Sequence, residues 1–411
     1  MLGVTKKYYV YEATASAGFL RPILVLYVLA QGISYQELGL LSAFLSAVVL
    51  LMEVPTGTVA DWIGRRNSLL FATVLFLITI VGFLFAGSFW AFLPVYFSRG
   101  LAKTFLSGSG TAWLYDALED HETDATFTTV RGRGRTARKL SLTVTVFLGG
   151  ILYSIDPAYP FYCTVILNTI GLATIVSFPT NSTTATDSTD STERPSVRET
   201  LRTVHSEVDD RRLRVYLLVL GSLYAVISAA NTYIQPLVAD AVESGLTDFA
   251  VFSLVPVGAS LGAFYAISRL FSSVMSLSAG RVESTLGPHR TVTLVTAALA
   301  VALFLPTLSV VGTLVLFFVL NGPKSLVRPI SESYINANIG SVGRATVLSF
   351  VSMLYSAISI PTNLAIGFLS DVVTLSVALA FVGCLTGALA VGWGLFSRSM
   401  TTPGKRAPAA D

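Results

Sequence analysis

Six cations lie in stretches of this chain that are otherwise almost wholly apolar: Arg21, Arg99, Lys103, Arg269, Lys324 and Arg328. Arg99 and Lys103 are four residues apart, as are Lys324 and Arg328, so each pair falls on one face of a helix. A guanidinium offers paired, planar hydrogen bonds to a carboxylate or phosphate, and an ammonium adds a compact charge, so this set suits recognition of a small organic anion. A cation inside an apolar segment is costly, which makes each a functional candidate. Structural roles stand beside that reading. Arg328 and Glu332 are placed to neutralise each other, Arg269 to snorkel towards a helix end, and Asp116 to pair with a nearby Lys or Arg. Asn231 and Gln235, with Tyr224, can contact a bound molecule or serve as interhelical hydrogen-bonding groups. Glu53 and Asp116 are candidate proton carriers, because a carboxylate in a half-dry site holds its proton more readily. Glu53 can equally stay ionised beside the charged turn that follows it, and Glu12, close to Lys7, is expected to be an interfacial charge.

The elements that carry these residues are membrane-length. Apolar residues make up 53% of the chain and charged residues 12%, with a mean hydropathy of +0.69. Soluble domains carry about 25% charged residues. Runs of about 20 apolar residues, the length that crosses a bilayer, predict helices near 8–31, 37–60, 68–87, 89–118, 136–155 and 158–179. A second six follow near 213–238, 249–278, 290–307, 310–335, 344–368 and 372–397. The expected organisation is a first bundle over 1–179, a polar and then charged linker over 180–212, a second bundle over 213–397, and a tail over 398–411. At about 1.5 Å per residue, Arg21 and Lys324 fall roughly 20 Å, and Arg99 roughly 15 Å, in from the N-terminal ends of their predicted runs, close to mid-membrane. Pro22, Pro323 and Pro329 adjoin three of the cations and predict kinks or local unwinding there.

Loops 31–37, 155–160, 239–248 and 369–372 hold acids but no Lys or Arg, whereas the alternate loops hold nearly all the basic residues. Both termini are therefore expected in the cytoplasm of a multi-pass plasma-membrane protein. Lys6-Lys7 leads straight into the first long apolar run, so no cleavable signal peptide is expected. The net charge of +3 reflects little more than this loop bias, so no nucleic-acid partner is expected, and the apolar spans make the lipid bilayer the expected surround. Cys163 and Cys384 lie in separate spans, so neither a disulfide framework nor a metal site is expected. His121, His205 and His289 fall in connecting loops, away from any nucleophile, which argues against an enzyme. No cofactor is implied.

Between the second and third apolar runs stands Gly57-Thr-Val-Ala-Asp61-Trp-Ile-Gly64-Arg65-Arg66, of the form G-x-x-x-D-x-x-G-R-R, preceded by Glu53-Val-Pro-Thr56. Glycines permit a tight turn, Asp61 near a helix N-terminus is favoured by the helix dipole, and the arginines can pair with it or with neighbouring helix ends. A worn copy follows the eighth run: Gly280 and Gly287 are again seven apart, Arg290 follows, and Ser284 takes the place of the acid. The same offset lays Arg99-Gly100 over Asn321-Gly322, within one residue.

This turn resembles the loop 2–3 signature of the major facilitator superfamily. The resemblance implies an all-α fold of twelve transmembrane helices in two six-helix bundles around a central cavity. It implies that spans one, four, seven and ten line that cavity, and that Gly57, Asp61, Gly64, Arg65 and Arg66 form a cytoplasmic latch holding the halves together in the outward-facing state. Gly280, Gly287 and Arg290 would form a weaker second latch. Two departures bear on cargo. Span four, Arg99-Gly-Leu-Ala-Lys103-Thr-Phe-Leu-Ser107-Gly-Ser-Gly110-Thr-Ala112, is similar to the superfamily pattern R-x-x-Q-G-x-G-x-A in its glycines but holds Thr104 at the expected Arg. Span five ends Phe147-Leu-Gly149-Gly150-Ile without the G-P-x-x-G-G element of many drug/proton antiporters.

The expected function is secondary active transport of a small solute by alternating access, with an organic anion as cargo and a proton as candidate coupling ion. No G-x-x-x-x-G-K-[ST] motif for nucleotide-driven transport is present. Proton-coupled efflux of hydrophobic or cationic drugs is the alternative, and it requires an acid at mid-depth. A non-transporting receptor or scaffold is the third reading, and a linker of about 30 residues gives it little soluble domain to work with.

Overall fold

The computed structural model describes residues 3–15, 17–107, 109–119, 126–179, 211–245, 256–339 and 344–401. Residues 180–210 of the expected linker, residues 402–411 of the expected tail, Asp248, His121 and His205 lie outside the described residues. Among those described, regular structure is helical: α1 (Val4–Thr14), α2 (Leu24–Ala30), α3 (Tyr35–Ile63), α4 (Arg65–Phe85), α5 (Phe89–Leu106), α6 (Ser109–Glu119), α7 (Phe127–Ile155), α8 (Tyr159–Val176), α9 (Arg211–Gly245), α10 (Val257–Leu277), α11 (Ala279–Phe304), α12 (Val310–Asn338), α13 (Arg344–Val372) and α14 (Leu375–Thr401). Ten are long and apolar enough to cross a membrane. The molecule is a multi-pass membrane protein.

Two of the expected continuous spans are broken. The run over 8–31 becomes α1 and α2, separated by turns that include residues 18–23, because Pro22 has no N–H to give and its ring obstructs the preceding turn. The run over 89–118 ends as α5 at Leu106, resumes as α6 at Ser109, and has Ser107 in an extended conformation between them. That interruption falls in a Ser/Gly-rich stretch of poor helix formers. By contrast α12 runs unbroken through Pro323 and Pro329, so no unwinding accompanies Lys324 and Arg328.

Two glycine-lined seams join early helices to late ones. Where α7 crosses α10, a Cβ on Gly150 would lie 2.0 Å from the carbonyl oxygen of Gly258. Where α3 crosses α13, a Cβ on Gly39 would lie 2.7 Å from the carbonyl oxygen of Asn363. Small residues let membrane helices approach backbone to backbone, and these seams use that contact. Both lie at one end of the bundle: Tyr27 and Phe161 meet there with ring centroids 4.5 Å apart, and the Gln36 N–H donates to Asp371 Oδ2 at 3.2 Å. The signature turn at Gly64 lies at the opposite end.

Candidate functional site: a cationic central cavity

A cavity of about 840 Å³ lies between the early and late helices. The break between α1 and α2 delivers Arg21, α5 delivers Arg99 and Lys103, α10 delivers Arg269, and α12 delivers Lys324 and Arg328. All six sequence-identified cations therefore line one space. Asn231 and Gln235 line it from α9, with Tyr96, Tyr265, Asn321 and Tyr355. Among the described residues no carboxylate lines the cavity.

The cations lie deep in the molecule and face the cavity. Arg21, Lys103, Lys324 and Arg328 are exposed along its lining, and Arg99 and Arg269 are partly so. Arg99 lies over the Tyr96 ring at 5.8 Å and Lys324 over the Tyr224 ring at 5.8 Å, contacts that orient both heads. Arg328 Nε donates to Glu332 Oε1 at 2.8 Å, which neutralises that cation. Among the described residues the other five make no ion pair.

Gln235 is committed to the protein. Its Nε2 donates to the Arg21 carbonyl at 2.8 Å and its Oε1 accepts from the Val25 N–H at 2.9 Å, while the Tyr265 hydroxyl lies 3.4 Å from Nε2. Its amide braces the break that carries Arg21. Asn231 donates to the Ile227 carbonyl at 2.9 Å and lines the cavity from α9. Three lining groups that local sequence pattern did not single out are Tyr265, Ser228 and Tyr355, the last two hydrogen-bonded at 2.7 Å. Their partners are distant in sequence, so no local spacing marks them.

Neither candidate proton carrier lines the cavity. Asp116 on α6 accepts from Arg65 at 2.9 Å, and Glu53 is half-buried on α3. Glu12 departs from its expected interfacial role: it is buried and accepts from Arg138 Nε at 2.6 Å, while Lys7 donates to the Ser177 carbonyl.

The two arginines of the signature turn bond to groups in the first part of the chain. Arg65 reaches Asp116, and Arg66 donates to the carbonyls of Ile175 and Val176, capping the C-terminus of α8. Asp61 is exposed in the last turn of α3, at a helix C-terminus rather than an N-terminus, because α3 continues to Ile63. Gly57 is helical and buried, so Gly64 alone of the pair supplies the turn, at φ 84° and ψ 156°. Gly287 repeats that backbone at φ 71° and ψ 169°, a region open essentially to glycine. Gly280 lies in the first turn of α11, and Arg290 is exposed three residues beyond Gly287.

The model of the Major Facilitator Superfamily matches residues 13–322, well over half of the chain. Of curated relatives, the uncharacterized MFS-type transporter YxaM of Bacillus subtilis (strain 168) is 22% identical over 238 residues, 54% of this chain and 55% of that protein. YqjV of the same organism, also an uncharacterized MFS-type transporter, is 32% identical over 100 residues, 24% of each chain. The chain thus spans about half the length of the first relative and a quarter of the second. The crystal structure of the nucleoside transporter NupG superimposes with a TM-score of 0.77 over 97% of this chain and all of NupG, at 13% identity. A POT family transporter in complex with 5-aminolevulinic acid superimposes with a TM-score of 0.67 over 97% of this chain and 96% of that one, at 14% identity. The chain belongs to the Major Facilitator Superfamily.

Proposed function

We propose that the protein is a secondary active transporter of a small organic anion, working by alternating access. Its twelve spans form two six-helix bundles over 1–179 and 213–397, with α1/α2 and α5/α6 each counting as one span, joined by the linker over 180–212 and followed by the tail over 398–411. The matching backbone of Gly64 and Gly287 supports the duplication. Both termini are cytoplasmic on the positive-inside reading. The glycine seams then close the outer end, which corresponds to an inward-facing state.

One observation carries the cargo assignment: six cations and no described carboxylate line a single cavity. Arg99 and Lys103 on one wall and Lys324 on the other are the principal anion contacts, with Arg21 between them and Asn231 adding a neutral hydrogen-bonding group. Arg328 contributes less, being held by Glu332. Gln235 positions Arg21. Efflux of a cationic compound finds no acid in this lining to receive it. The turn at Gly57, Asp61, Gly64, Arg65 and Arg66 acts as the cytoplasmic latch, and in the inward-facing state Arg65 rests on Asp116 of its own bundle. The copy at Gly280, Gly287 and Arg290 is the weaker counterpart.

A thermal-shift panel on purified protein tests the cargo class, using mono-, di- and tricarboxylates and phosphate esters beside neutral and cationic analogues of matched size. Stabilisation confined to anions, and lost in Arg99→Gln, is the expected result. Stabilisation by the cationic analogues alone contradicts it.

A further inference from the structure

The charge of the empty cavity constrains the transport cycle, whatever anion is carried. Arg21, Arg99, Lys103, Arg269 and Lys324 share the space, and among the described residues none has a carboxylate partner. Lys103 lies within electrostatic range of Arg99, Lys324 and Arg21. In the state described here, water entering the cavity screens these charges. To change state, the open end must close before the seams at Gly150–Gly258 and Gly39–Asn363 part, and the cavity is then cut off from bulk water.

At that point like charges repel through a lower dielectric, and each loses hydration with no counter-charge to replace it. Proton release offers only partial relief: Lys103 and Lys324 can give up a proton, but the three arginines keep their charge in proteins. A proton entering with cargo would add positive charge to a cavity that has no described carboxylate to accept it. A bound anion removes the penalty directly, because it brings the missing counter-charge into the cations' midst.

We propose that the protein is an obligate anion exchanger: the cavity occludes only around a bound anion, so the empty carrier does not change state and each crossing one way is matched by a crossing the other way. The proposal rests on the anion-site reading above. It sets the coupling mode as counterflow of one anion against another, without an ion gradient acting on the empty return step.

The test reads the conformational step with no substrate present. Spin labels are placed through Phe85→Cys and Leu308→Cys, at the seam end on an early and a late part of the chain, where the native side chains are 83% and 76% exposed. Cys163 and Cys384 are replaced by Ser in that background. Distances are measured by pulsed electron paramagnetic resonance in nanodiscs of zwitterionic lipid and in a chloride-free zwitterionic buffer. The expected result is a single short-distance population for the protein with all its cavity cations. In Arg99→Gln/Lys103→Gln/Lys324→Gln a longer-distance population rises at least tenfold. Should the triple variant fail to fold, Lys103→Gln/Lys324→Gln is read in the same way.

A cation-complete protein that already populates the longer distance without any anion overturns the proposal, as does a folded neutralised variant whose distribution is unchanged. If the empty protein crosses freely and anions still stabilise it, exchange is wrong and the anion site stands. If no anion stabilises it, the cargo reading beneath the proposal is wrong.

Discussion

The amide of Gln235 replaces a helix hydrogen bond between Arg21 and Val25. In an unbroken helix the Val25 N–H would donate to the Arg21 carbonyl; here Gln235 accepts from the first at 2.9 Å and donates to the second at 2.8 Å. The break made by Pro22 is thereby tied to α9, and Arg21 is held at the cavity wall. Gln235→Leu leaves a backbone donor and acceptor unmet, at a cost of about 1–3 kcal/mol each if both stay buried. The expected outcome is a lower melting temperature and a loss of anion uptake, measured on the same preparation. Gln235→Glu keeps the acceptor for Val25 but loses the donor and sets a carboxylate beside Arg21, so uptake falls more than stability.

The seam glycines predict a conformational phenotype. A side chain at Gly150 would collide with the Gly258 backbone, the nearest oxygen lying 2.0 Å from the new Cβ. Gly150→Leu therefore wedges the seam end open. Accessibility of Ser154→Cys, close to that seam, to a membrane-impermeant thiol reagent should rise in the Gly150→Leu background, and unchanged accessibility contradicts the assigned closure.

Gly64 and Gly287 hold nearly the same left-handed backbone in the two copies of the turn. Replacing either with Ala imposes strain of about 1–3 kcal/mol. Comparable drops in thermal stability for Gly64→Ala and Gly287→Ala are expected. A drop at Gly64 alone would mean that the later copy has no structural role.

Arg65 and Asp116 form a partly exposed pair at 2.9 Å, with side-chain exposures of 46% and 22%. Exposed pairs contribute about 0–1 kcal/mol, so Arg65→Ala should scarcely move the melting temperature. Its effect is expected on the rate of state change, seen as altered uptake velocity at unchanged anion affinity. A change in affinity without a change in velocity contradicts a gating role.

Much of this arrangement is legible in the residues themselves, for reasons of scale. Membrane length fixes the span pattern, and four-residue spacing puts Arg99 with Lys103 and Arg328 with Glu332 on shared helix faces. The positive-φ turn is marked by Gly64, and its copy by Gly287, because few other residues tolerate that backbone. What escaped was tertiary. Nothing local to Gln235 shows that its amide will meet Arg21 and Val25, or that Glu12 will be buried against Arg138. Pro22 interrupts its span whereas Pro323 and Pro329 do not, a difference that the presence of proline alone does not mark. Gly149 and Gly150 lack the flanking residues of the antiporter motif, and they let α7 approach Phe19 and Gly258.

The most direct test of the cationic cavity as the cargo site is uptake of labelled anion into proteoliposomes, using the best stabiliser from the thermal-shift panel. Uptake is compared among the wild type, Lys103→Gln, Lys324→Gln and the control Lys6→Gln, whose side chain is exposed on α1 and lies outside the cavity. At least a tenfold loss is expected for each cavity variant at unchanged melting temperature, with the control near wild type. Wild-type uptake in both cavity variants would contradict it.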